Sequence, residues 1–373
     1  MSGDRQSQKA GDSSQLMQAG TINIYNNGID EKRAREICAE TYAVARRDFT
    51  ADAYACANER VQKFEDSLLP KIQQIEGALS TFADPSFQFL LTSAQRTAAA
   101  TEREADYDML AELLICRITK GQVRKNRAGI SRAIEIIDQV DDDALCALTV
   151  FHAVNKFIPA SNSCKAGIKV LADLFEKLMY MELPVGTGWI DHLDILDAVR
   201  IDSAHSFKKI EDYYPARLSG YSAVGIHIDS ENYKRATALL TEVGLDSATL
   251  IPNELLDNYV RLPVVEKCAI KKLKMSRNVL SEGSVVKQDS LINESEISAL
   301  EAVWDLYDTD ENMKKKAVSM FMKEWDSYPS LKKLHTWWDA LPLTFEITHV
   351  GTVLAHTNAR RCDKSIPELP LAT

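Results

Sequence analysis

A mainly α protein is the fold class this sequence predicts, and three observations predict it. Apolar residues recur at three- and four-residue steps through most of the chain after Ile29. Cap-forming residues stand just before several of those stretches. Two-residue alternation is confined to one short N-terminal segment and a few short runs in the middle. Composition agrees: 373 residues with 45% hydrophobic and 26% charged residues are enough for a substantial core, and they argue against wholesale disorder.

The elements follow in order. Thr21–Tyr25 alternates, placing Ile22 and Ile24 on one face of a strand, and Asn26–Asn27–Gly28 reads as a turn. A near-repeat, Gln8–Lys9–Ala10–Gly11 and Gln18–Ala19–Gly20, precedes it. Strands with so few apolar residues cannot bury a face alone, so this segment packs on the body, pairs with copies of itself in other subunits, or remains a polar tail. Asp30 caps a first helix carrying Ala34, Ile37 and Cys38, and Pro70 is expected to interrupt the helix that follows. Asp84–Pro85 opens another, with proline in its first turn.

Met109, Leu110, Leu113, Leu114 and Ile118 form one stripe, and Ile130, Ala133, Ile134 and Ile137 a second. Asp141–Asp142–Asp143 suits the positive start of the next helix. Ile168, Leu171, Phe175, Leu178 and Met179 give a further amphipathic face. The middle is mixed: a short strand around Ile226 and Ile228, a helix capped near Ser230, and a helix between Pro252–Asn253 and Pro263. Val279–Ile292 reads as a hairpin or long loop. Helices return over Glu294–Tyr307, Asn312–Trp325 and Ser330–Leu341, and Thr348 caps a last one. The expected organisation is a polar β segment over 1–28, helical domains over 29–183 and 184–364, and a loose tail over 365–373.

Charge and cysteines bound the function. With 54 acids against 44 bases the net charge is −10, which disfavours a general electrostatic grip on nucleic acid. Seven cysteines, odd in number, widely spaced and never Cys-x-x-Cys, are the usage of a reducing cytoplasm. The N-terminus lacks the apolar core of a signal peptide, and no run reaches the roughly 18–20 apolar residues that span a bilayer.

The search for chemistry finds no phosphate loop, dinucleotide turn or His-Glu-x-x-His pair. Gly220–Tyr221–Ser222–Ala223–Val224–Gly225 approaches a nucleophile elbow, but its second glycine is one place too far and an ordinary turn is the simpler reading. Asp191, His192, Asp194, Asp197, Asp202 and His205 form the densest titratable cluster. Were Trp189–Val199 helical, Asp194 and Asp197 would share a face, as a metal-dependent hydrolase needs; the interleaved Leu193, Ile195 and Leu196 favour a solvated acidic face instead. His349 and His356 lie seven residues apart, about 10.5 Å along a helix, too far for one metal.

One basic segment stands out. Lys120, Arg124, Lys125, Arg127 and Arg132 fall within thirteen residues that contain no acid. They are candidates for contact with a phosphate, a nucleotide or a nucleic-acid backbone, although no aromatics interleave to stack on bases, and a solubilising loop between helices would look the same. Trp325, Trp337 and Trp338 serve either an interface or the core.

The openings Gln8–Lys–Ala–Gly–Asp–Ser–Ser and Gln18–Ala–Gly–Thr–Ile–Asn–Ile resemble those of an uncharacterised family of bacterial proteins with a helical body. Looser agreement continues at Ala94–Gln95, at Leu110–Ala–Glu–Leu–Leu, and at Thr348, Gly351 and Ala355. The resemblance implies a bacterial, cytosolic, mostly helical protein, and similar openings occur on proteins suspected of phage-defence or stress roles. It implies no catalytic residues. The expected function is therefore a non-enzymatic, self-associating scaffold or sensor without cofactor or metal. Gln18, Ala19, Gly20, Ile22 and Ile24 would make the homo-oligomer, and the body would meet a protein partner. The alternatives are a nucleotide- or nucleic-acid-responsive protein using 120–132 and a hydrolase using 191–202.

Overall fold

The computed structural model describes residues 29–45, 50–121, 123–202, 204–281 and 284–369. The expected oligomerisation residues Gln18, Ala19, Gly20, Ile22 and Ile24 lie outside them.

The described chain is mainly α. Helices α1 (Glu31–Ala45), α2 (Ala51–Gln73), α3 (Pro85–Ala100), α4 (Glu104–Lys120) and α5 (Arg124–Ile136) lead to α6 (Asp142–Lys156) and α7 (Cys164–Leu178). Caps start several of them as the sequence indicates. Asp30 accepts from Arg33 N at 2.7 Å, Asp84 from Ser86 N at 3.0 Å, and the acids Asp142 and Asp143 open α6. Helix α6 is apolar all round, with every residue from Ala144 to Val154 buried, which puts it at the centre of the body.

Next come α8 (Gly188–Ile195), β1 (Val199–Asp202), α9 (Ile210–Arg217), the single turn α10 (Ser219–Ser222), β2 (Ile226–His227) and α11 (Glu231–Glu242). Short strands β3 (Ile251–Pro252) and β4 (Tyr259–Arg261) and the hairpin β5 (Lys274–Ser281)–β6 (Ser284–Leu291) precede α12 (Glu294–Trp304). The chain closes with α13 (Glu311–Asp326), α14 (Pro329–Asp339), β7 (Thr344–Ile347) and α15 (His349–Cys362). Antiparallel β1–β7 pairing sets Val199 opposite Ile347, and β4 lies between β2 and β3.

Two cores result. The larger runs from Ala34 to Ile366, and α15 packs on α4, α5 and α6, so residue 183 falls inside one continuous core. The smaller gathers Ile226, Leu240, Leu262, Ile270 and Leu300 from the mixed region.

Four local expectations are corrected. Pro70 does not interrupt α2: it sits exposed in the last turn, where water can serve the carbonyl left without its N–H partner. The stretch between Pro252 and Pro263 is not a helix. The Asn253 amide donates to Ala223 O and Val224 O at 3.0 and 2.9 Å and fixes a turn, from which the chain returns as β4. Helix α8 stops at Ile195, because Asp197 takes a positive φ of 61° on the way into β1. Through Leu369 the tail is not loose: Ile366 is buried, His356 Nε2 meets Pro367 O at 2.9 Å, and Lys120 Nζ donates to Leu369 O at 2.8 Å.

Gly351, in the first turn of α15, leaves room for backbone rather than for a side chain. It is pressed against Ala198 O in the turn before β1, where a Cβ would collide with backbone.

Candidate functional site

The basic segment is not a loop between helices. Lys120 ends α4, and Arg124, Lys125, Arg127 and Arg132 all lie on α5. The fold then divides the five. Lys120 is spent on the tail, pairing with Glu368 at 2.9 Å as well as bonding Leu369 O. Arg132 reaches Glu135 at 3.4 Å and Asp197 at 3.7 Å. Arg124, Lys125 and Arg127 have no ion-pair partner among the described residues, and Arg124 and Lys125 are exposed.

Those three occupy the first turn of α5, where peptide dipoles already leave positive charge. The N-cap position is Val123, whose side chain can accept nothing, and the first turn holds no acid. Each cation there opposes the dipole by about 0.3–1 kcal/mol, so the turn is electrostatically unfavourable by itself and favourable around an anion.

Its surroundings are also cationic. Arg117, 8% exposed, donates from Nη2 to Ser86 Oγ at 3.1 Å and stands 3.8 Å from Asp84. Burial and then the neighbouring Arg127 push the Arg117 pKa down. The hydrogen bonds from Ser86 hold Asp84 below the usual carboxylate range, with Arg117 and Arg127 adding to the effect. On the other side, His349 packs against Gly129, where any Cβ would strike the imidazole. Its Nε2 is buried without a partner among the described residues, and burial, then Lys125, lower its pKa.

The acidic cluster does not assemble as a metal or acid–base pair. With Asp197 outside α8, Asp194 and Asp197 share no helical face. Both turn to Arg200, Asp197 at 2.7 Å and Asp194 at 4.0 Å. Asp202 instead meets His205 at 2.6 Å, and Asp141 N lies 3.3 Å from His192 Nε2. Among the described residues no group of three or more His, Cys, Asp or Glu side chains is arranged to hold a metal ion. Ser222 Oγ donates to Pro215 O at 2.6 Å and so braces a turn. Burial pushes the Cys38 and Cys164 thiols up to about 12 and Cys146 up to about 11, which leaves them protonated and inert at neutral pH. Trp325, Trp337 and Trp338 are core residues, each donating its indole N–H to a backbone carbonyl.

One pair escaped the sequence reading. His152 on α6 and His356 on α15, 204 positions apart, meet at 3.2 Å between Nε2 and Nδ1. Because Pro367 O can only accept, His356 Nε2 carries a proton; its Nδ1 then accepts and His152 Nε2 donates. That leaves His152 Nδ1 as a buried lone pair without a partner among the described residues. Burial, then the neighbouring His356, push the His152 pKa down to about 3. No local sequence signal marks such a contact.

These features define a helical protein with a cation-bearing, uncapped helix start on its surface. One family model, whose description (":-like") attaches no function, matches residues 28–367. The chain belongs to that uncharacterised family. The match begins after the Gln–Ala–Gly openings. No curated protein and no solved structure matches the chain, and no described helix is long and apolar enough to cross a membrane.

Proposed function

We propose that the protein is a non-enzymatic scaffold or sensor that takes a phosphate-bearing ligand, a nucleotide or a nucleic-acid backbone, at the first turn of α5. One observation carries this reading: Arg124, Lys125 and Arg127 crowd an uncapped helix start without an ion-pair partner among the described residues, while Lys120 and Arg132 are neutralised by other parts of the chain. With a net charge of −10 on the chain as a whole, such a local concentration of positive charge favours an anion at that turn.

The test is the Arg124→Gln/Lys125→Gln/Arg127→Gln triple variant, titrated with a fluorescent oligonucleotide and with ATP over a range of salt concentrations. The wild type binds with a salt-dependent affinity, and the triple variant flattens the salt slope by about 2–3. The same variant is more stable without ligand, by roughly 1–2 kcal/mol, because the clash with the helix dipole is gone. Salt-independent binding, or equal binding by both proteins, refutes the assignment.

Self-association through Gln18, Ala19, Gly20, Ile22 and Ile24 belongs to the same proposal, since the polar strand buries Ile22 and Ile24 best against another copy. Light scattering on the full chain and on a chain starting at Ile29 tests it: the oligomer falls to a monomer on truncation, and an unchanged subunit number removes the idea. A cytoplasmic setting, where the thiols stay reduced, and a role in bacterial antiviral defence complete the reading; the latter rests on the resemblance of the N-terminal openings alone.

A further inference from the structure

A cavity of about 600 Å³ lies where the two cores meet, walled by α9, α13 and the end of α12. That volume is in the range of small-molecule sites, roughly 300–1,000 Å³. Pro215, Val224 and Val318 make part of the wall apolar. Trp304 and Tyr307 add a ring pair, stacked at 4.8 Å between centroids and tilted by 27°. The pair is set before any ligand arrives, because the Tyr307 hydroxyl accepts the Leu262 N–H at 2.7 Å. Trp304 is only half-buried, so it keeps surface that a ligand can touch.

The charge around this cavity is unbalanced. Glu211, Asp212, Asp305 and Asp308 line it together with one cation, Lys314. Lys314 is already held by Glu311 at 2.8 Å, and Asp305 by Lys267 at 2.6 Å. Glu211 and Asp212 are exposed and have no ion-pair partner among the described residues. Asp308 receives neutral donors, Tyr259 OH at 3.3 Å and Asp310 N at 2.9 Å. Carboxylates left without counter-charge around one hollow favour a cation there. Among the described residues no three of them are arranged to hold one metal ion, so the charge that answers them is extended rather than compact.

We propose that this cavity binds a linear aliphatic polyamine. Its methylene chain lies along the apolar wall and the Trp304–Tyr307 pair, where an ammonium group also gains from the indole ring. One ammonium meets Asp308, and another meets Glu211 or Asp212. An anionic ligand would face like charge, and a compact divalent ion would leave the apolar wall uncovered. Because α9 packs in the larger core and Trp304 and Tyr307 pack on the smaller, the bound chain ties the two cores together.

Spermidine is the probe, with butylamine as its singly charged counterpart, each titrated calorimetrically into the full chain at fixed ionic strength. Spermidine binds one to one and at least about tenfold more tightly than butylamine. In Glu211→Gln/Asp212→Asn, which alters two exposed side chains, that advantage is lost. Ala216→Arg, on the exposed surface of α9 at the cavity wall, places a fixed cation there and abolishes binding while far-UV circular dichroism is unchanged. Spermidine raises amide-exchange protection over residues 226–307 in the wild type and not in Ala216→Arg. Magnesium at matched ionic strength does not displace it. No saturable binding, equal affinity for the two amines, an advantage that persists in Glu211→Gln/Asp212→Asn, binding that survives Ala216→Arg, unchanged protection, or displacement by magnesium overturns the proposal.

Discussion

In the larger core, α6 is buried on every side along Ala144–Val154, with α15 packed against it. In the smaller core α11 supplies only Ala236 and Leu240 and α12 only Leu300 and Val303, and the rest comes from short strands and single side chains such as Leu262 and Ile270. The first core is made by helices that each carry a stripe before they meet. The second exists only once β2, β4 and β3 have paired and α12 has packed against α11. Order that depends on many distant partners at once is the order that opens first.

The sharpest way to break this contrast is a pair of cavity variants. Phe175→Ala in the larger core should cost about 3–5 kcal/mol and lower the melting temperature of the whole chain. Leu300→Ala should cost about 2–5 kcal/mol, with loss of amide-exchange protection concentrated in residues 226–303. Uniform loss of protection in Leu300→Ala would mean that the two cores are one cooperative unit.

Where the cores join, Gly220 N donates to Val265 O at 2.7 Å, and a Cβ on Gly220 would collide with Val264 O. Gly220→Ala should therefore cost about 1–3 kcal/mol through forced separation of backbone, read as a lower melting temperature. A variant as stable as wild type would show that the junction has slack.

The histidine pair gives a pH dependence specific to the larger core. Both folded pKa values lie below the unfolded value, so the unfolded chain binds protons first as pH falls. Stability contributed by neutral His152 is complete above about pH 6.5 and is lost progressively towards about pH 3. His152→Gln, which keeps a donor for His356, should flatten melting temperature over that acidic range; an unchanged slope would assign the effect to carboxylates. The smallest expected effect is that of Lys169→Ala. Its pair with Asp173 at 2.9 Å is solvent-exposed on both sides, and the melting temperature should stay within measurement error.

Much of the fold was legible because its signals are local. Asp30, Asp84, Ser230 and Thr348 each accept from an N–H within three residues, so these caps could be placed from sequence. The stretch from Pro252 to Pro263 misled because the Asn253 amide bonds carbonyls at 223 and 224, which no neighbour in sequence announces. Of the candidate site, the composition of 120–132 was visible. Which of its cations stay free was not, since that turns on Glu368 and Asp197.

By itself, then, the sequence determined which segments become helices and where most of them begin, because period and capping act within one or two turns. The tertiary structure alone decided that residues on both sides of 183 share a core, that His152 meets His356, and that Lys120 pairs with Glu368. Those outcomes depend on side chains far apart in the chain, and only packing brings them within hydrogen-bonding reach.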